Sequence, residues 1–181
     1  NRAQLMNTVR EYLRVFESDP GPDLAEFPEF RREAETYASF VLETLFEELA
    51  FSGDMAVLDD IYVQAESLTR HGLKVRFHSP PAGSADCALN IIALAERDPS
   101  GPNLSRLLKL LKTAAWLGLH DAYFHLQNGL SELFMKVLAD PERWAPHAAE
   151  IKELYAGSGM IIERFSLKLD ELTAEHASRK A

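Results

Sequence analysis

The chain has one cysteine in 181 residues. Cys87 standing alone excludes an internal disulfide and any metal site built on several cysteines. It points to a reducing compartment, so a cytoplasmic location is expected, with a disulfide-free secreted domain as the remaining option. Long apolar runs are also missing. No stretch approaches the roughly 18 apolar residues that cross a bilayer as a helix. The first residues carry no expected signal peptide. The sequence opens on Asn1 rather than Met, however, which reads as a processed protein or a piece of a larger one.

Positive charge is scarce. Lys and Arg number 19 against 28 Asp and Glu, for a net charge of −9 and a pI near 5.1. A duplex-binding protein normally needs net positive charge or a basic stripe to displace counterions from phosphate, so nucleic acid is not an expected partner. The imbalance is local. Residues 1–90 hold 8 Lys and Arg against 16 Asp and Glu, a balance of −8, while residues 91–181 hold 11 against 12. The first half therefore carries an acidic field that repels polyanions and attracts basic surfaces.

Catalytic signatures are absent too. There is no Walker loop, dinucleotide fingerprint, zinc signature or serine elbow. "YAGSGM" (155–160) contains Gly-x-Gly before a helix, but no strand precedes it and no lysine or third glycine is in register. It is expected to be a helix end followed by a new N-cap at Ser158. No cofactor and no metal are expected.

What the chain does have is helical periodicity cut by proline and glycine. Leu5, Val9, Tyr12, Leu13 and Phe16 predict a helix over about 2–17, stopped by "SDPGPD". Phe30, Ala34, Tyr37, Val41, Leu45 and Leu49 predict one over about 29–51. Asp54 is the expected N-cap of a third helix that closes at His71-Gly72. "LKVRF" (73–77) alternates apolar and basic residues and is expected to be extended chain lying on the helices. Further helices are predicted around Cys87 to Leu94, from Leu104 to Gly118, and over about 120–139, 146–156 and 160–176. On the fifth, Leu104, Leu107, Leu108, Leu111, Ala114 and Ala115 are the expected core face. "DPERWAP" reads as a spacer.

The expected fold is all-α: about eight helices as stacked antiparallel helical hairpins or an irregular helical bundle, with no significant sheet. One domain is expected over 1–176, with a frayed tail at 177–181. "LAFSGDMAVLDDIY" faintly parallels "AAWLGLHDAYFHLQ", a helix end and a glycine before the next helix, but no fixed repeat spacing accompanies it.

The segment "GLHDAYFHLQNGL" (118–130) concentrates the polar chemistry. At about 100° per residue, Leu119, Ala122, Tyr123, Leu126, Leu130, Leu133 and Val137 form a core stripe. Asp121, His125, Asn128 and Glu132 share the opposite side. Asp121 could orient His125 as a general base, or Asp121, His125 and Glu132 could offer ligands to a divalent metal. The plainer reading is a solvated helix face, where charged and polar residues belong. His120 lies on neither face, and His-x4-His has the wrong spacing for chelation on a helix. Phe124 and Met135, with Ser131 between them, fall on a flank away from the core stripe. They are either buried between two helix layers or exposed as a partner-binding groove.

"LSRLLKLLKTAAW" (104–116) is the one basic island, with Arg106, Lys109, Lys112 and Trp116 on one side of a leucine-rich helix. Three cations are too few for a membrane anchor, so a core helix with a basic rim is expected; the rim could dock on an acidic surface of the same chain or of a second copy. Cys87 is expected to be a buried, inert thiol, and His78 sits in a loop. These residues together predict a non-catalytic helical interaction or accessory domain that presents an acidic and partly apolar surface to a protein partner. Phe124, Met135, Trp116, Arg106, Lys109 and Lys112 are the expected contact residues. An enzyme or small-ligand binder with a polar pocket around Asp121 and His125, joined by Glu132 or His78, is the rival. A dimeric regulatory subunit is the third reading.

Overall fold

The structure, a computed structural model, describes residues 2–17, 27–81 and 83–180. Among these residues the fold is all-α, with no strand. Eight helices have eleven residues or more: α1 (Arg2–Glu17), α2 (Pro28–Ser52), α3 (Met55–Arg70), α4 (Ser84–Arg97), α5 (Gly101–Leu117), α6 (His120–Ala139), α8 (Ala148–Ser158) and α9 (Glu163–Lys180). The short α7 (Pro141–Trp144) and a 3-10 turn (Ala145–His147) lie between α6 and α8. No helix among the described residues is long and apolar enough to cross a membrane. The expected stop at "SDPGPD" lies outside the described residues, as do the side chains of Tyr12, Leu13, Phe16 and Leu172.

Contacts divide the chain into two compact units. The first comprises Asn1–Ser84 and Thr113–Leu119; the second comprises Ala85–Lys112 and His120–Ala181.

In the first unit, α2 packs on α1 and on α3. Pro28 opens α2, where its missing N–H costs nothing, and Gly53 at φ +65° closes it by donating to Leu49 O. Asp54 then caps α3, its carboxylate accepting from Ala56 N at 2.9 Å. A link this short forces α2 and α3 antiparallel. Val41, Leu42, Leu45, Phe46 and Leu49 of α2 are buried, as are Val57, Leu58, Ile61, Ala65 and Leu68 of α3. Each large apolar side chain so buried contributes about 1.5–3 kcal/mol relative to an exposed one.

The second unit is built around aromatic rings. Phe134 of α6, Tyr155 of α8 and Phe165 of α9 meet with centroids 4.7 to 5.3 Å apart, a spacing at which edge and tilted ring contacts are favourable. Gly129 lets α6 approach α4: a Cβ there would collide with the Ile92 side chain.

Three expectations are corrected. "DPERWAP" is no spacer. Asp140 caps the short α7, Trp144 is buried, and Arg143 lies 5.5 Å over its ring while donating to Glu96 O. Ser158 does not start a helix. It is the buried last residue of α8; its hydroxyl donates to Tyr155 O at 2.7 Å and accepts from Met160 N. The Tyr155 hydroxyl accepts from Ile162 N at 2.7 Å, which holds the link non-helical until Glu163. The core face of α5 is also rotated: Leu110 is buried where Ala115 was expected, and Leu108 is half-buried, reaching to Gly157 of α8.

Candidate functional site

The outer face of α6 is the first place to look for function, since most of the polar candidates sit on it. The core stripe faces in: Leu119, Ala122, Leu126, Leu130, Leu133 and Val137 are buried. Tyr123 is half-buried, and its hydroxyl accepts from Gln127 Nε2, which also donates to Ser158 O. Phe134 is fully buried as well, although the stripe of the sequence reading passes it by. Asp121, Asn128 and Glu132 are exposed, and His125 is half-buried. No hydrogen bond or ion pair engages any of these four side chains among the described residues. The His125 ring meets the Phe124 ring edge-on at 5.8 Å instead. Nor do three His, Cys, Asp or Glu side chains gather anywhere among the described residues in a way that could hold a metal ion.

Phe124 and Met135 are 62% and 57% exposed. Eleven residues apart on one helix, they differ in direction by about 20° and stand three turns apart. Between the two readings of this flank, burial between layers and exposure, the structure has the second. Phe40 and Phe51 of α2 are likewise exposed.

The basic island is mostly engaged in structure. Arg106 donates to Asn103 Oδ1 at 3.2 Å, and the buried Asn103 in turn donates to Asp98 O and Oδ2. Lys109 and Lys112 are half-buried on the rim of α5. Trp116 is half-buried and stacks on Tyr62 of α3 at 5.5 Å. Cys87 is buried, and that burial pushes its thiol up to about 11 from 9.0. A neutral thiol is a poor nucleophile, so the inert reading fits this environment.

The less expected feature is in the first unit. Residues Arg31, Glu35 and Ser39 of α2 are spaced i, i+4 and i+8, one turn apart. Arg31 Nη2 donates to Gly72 O at 2.6 Å, Lys74 N donates to Glu35 Oε1 at 3.0 Å, and Arg76 N donates to Ser39 Oγ at 3.0 Å. Four helical residues rise about 6 Å and two extended residues about 6.6 Å, so alternate residues of the 72–76 segment stay in register with successive turns of α2. The segment is therefore extended chain bound to helix side chains, as its alternating pattern predicts. Leu73 is buried, while Lys74, Arg76 and His78 are exposed. Beside this ladder runs a groove of 490 Å³, with Arg32, Thr36 and Phe40 along one wall and Arg76 and His78 along the other.

No family model, no curated protein and no solved structure matches this chain. The groove residues of α2 escaped the sequence reading because each looks like an ordinary surface position of an amphipathic helix. Their partners lie about 40 residues away, as with Arg31 and Gly72. The alternation in 73–77 was the only local signal.

Proposed function

We propose that this protein is a non-catalytic helical interaction module that presents a partly apolar surface to a protein partner. The exposure of Phe124 and Met135 on one face of α6 carries the reading. Large apolar side chains in water at two aligned positions, about 16 Å apart along the helix with Asn128 and Ser131 between them, offer two apolar anchors beside the polar row of Asp121 and Glu132. The acidic balance of residues 1–90 favours approach of a basic partner by long-range attraction. The polar row of α6 has none of the hydrogen-bonded pairing that a general base and its orienting carboxylate need, which is why the catalytic reading is set below this one.

The test is affinity capture with quantitative mass spectrometry, comparing the wild type with the Phe124→Asp/Met135→Asp double variant. Both positions are exposed, so the variant should fold with an unchanged circular dichroism spectrum. Loss of a specific partner from the folded variant is the expected result. Retention of every partner would remove this face of α6 from the interaction surface. Mass measurement in solution tests separately whether the partner is a second copy.

A further inference from the structure

The extended segment 73–77 has two edges, and only one is occupied. The amides of Lys74 and Arg76 point at α2 and are bonded there. In extended chain the N–H and C=O of the intervening residues point the other way. Those groups on Val75 and Phe77 have no hydrogen-bond partner among the described residues. Along the segment lies a cleft of 540 Å³ lined by Leu73, Lys74, Val75, Arg76, Trp116 and Leu117, with no residue of α2 in its walls. An unpaired strand edge bordering a cleft of apolar and cationic residues is an arrangement that accepts an added strand.

The charges on the segment say which strand. Residues 1–90 contain eight Lys and Arg. Arg2, Arg14, Arg31 and Arg70 are ion-paired and Arg10 is bonded to Asn7. The other three, Arg32, Lys74 and Arg76, have side chains without a hydrogen bond or ion pair among the described residues, and two of them are on this segment. Lys74 and Arg76 project from the same face of the extended chain. Directly opposite cross-strand neighbours share a face, so a strand laid on the free edge would set alternate residues beside these two cations. The residues between would face the apolar side with Val75 and Trp116. A second copy pairing edge to edge would bring Lys74 and Arg76 against their own kind, which is unfavourable.

We propose that the free edge of 73–77 binds, by strand addition, an extended partner peptide in which acidic and apolar residues alternate. This site is separate from the face of α6 and does not depend on it.

The probe is an N-acetylated, C-amidated peptide of about eight residues alternating glutamate and valine, long enough at about 3.3 Å per residue to overrun the edge. It is added to the full chain at about 0.15 M salt, where the acidic groups elsewhere on the unit are screened beyond about 8 Å. The expected result is saturable binding by calorimetry, with amide exchange slowed at Val75 and Phe77. A lysine–valine peptide should bind at least roughly tenfold more weakly. Methylating the peptide amides on the pairing edge should cost roughly tenfold, as should Val75→Pro, which deletes one donor on the free edge and spares the amides bonded to α2. Should Val75→Pro misfold, the Lys74→Glu/Arg76→Glu variant serves in its place and should reverse the preference between the two peptides.

Four results would overturn the proposal. One is no saturable binding of the glutamate–valine peptide. A second is equal binding of its N-methylated form. A third is equal binding of a scrambled peptide of the same composition, which would mean charge alone is read. The fourth is a dimeric mass with Val75 and Phe77 already protected before peptide is added, which would mean a second copy holds the edge.

Discussion

Helices α2 and α6 carry the same kind of polar row and put it to different use. On α2, Arg31, Glu35 and Ser39 stand one turn apart and hold the extended segment in register. On α6, Asp121, His125, Asn128 and Glu132 have nearly the same spacing, yet no hydrogen bond or ion pair engages them among the described residues. Spacing on a helix says which side chains can meet one another. It does not say whether another element arrives to use them. The α2 row became structural because α3 ends at Arg70 and the reversal at His71 and Gly72 delivers residues 73–77 alongside it.

The contrast can be broken or sharpened by substitution. The largest effect is expected on the inner side of α6. Phe134→Ala removes a ring packed against Tyr155 and Phe165 and should lower stability by about 3–5 kcal/mol in a denaturant titration. Next comes the α2 row. Glu35→Ala leaves the Lys74 amide without its acceptor and Arg31 with only Gly72 O, and should cost about 2 kcal/mol, with faster amide exchange at Lys74. Glu35→Gln keeps an acceptor oxygen and should restore most of that loss.

Cys87 on α4 gives an effect that is confined to alkaline pH. Its folded thiol ionises near 11 and its unfolded thiol near 9.0 because burial disfavours the thiolate. Between those values the unfolded chain has released the proton and the folded chain keeps it. Stability should therefore be fully present below pH 9.0 and fall as pH rises toward about 11. Comparing the midpoints of wild type and Cys87→Ala across that window isolates the thiol. The smallest effect belongs to the outer row of α6. Asp121→Ala and His125→Ala should each change stability by no more than about 0.5 kcal/mol. A loss as large as that of Glu35→Ala would show that the two rows do equivalent work.

Much of the helical layout was legible in the residues themselves. Apolar positions recurring every three to four residues, with Asp54 capping one helix and Gly53 and Gly118 closing two others at φ +65°, are local signals with local causes. The inner and outer sides of α6 were legible for the same reason. The errors arose where a side-chain contact outside the helical period intervened. Trp144 in an apparent spacer, Ser158 at an apparent helix start and the rotation of α5 each depend on contacts that periodicity does not encode.

By itself, then, the sequence determined the helical class, most of the breaks and the inner and outer sides of α6, because those follow from backbone preference and the period of burial. Which polar row is occupied, which edge of 73–77 is left open and where the aromatic side chains come to rest were decided only in the tertiary structure. Those outcomes depend on which element arrives beside which. Pairings such as Arg31 with Gly72, or Phe134 with Phe165, join residues far apart in the chain, and a single helix wheel contains no record of them.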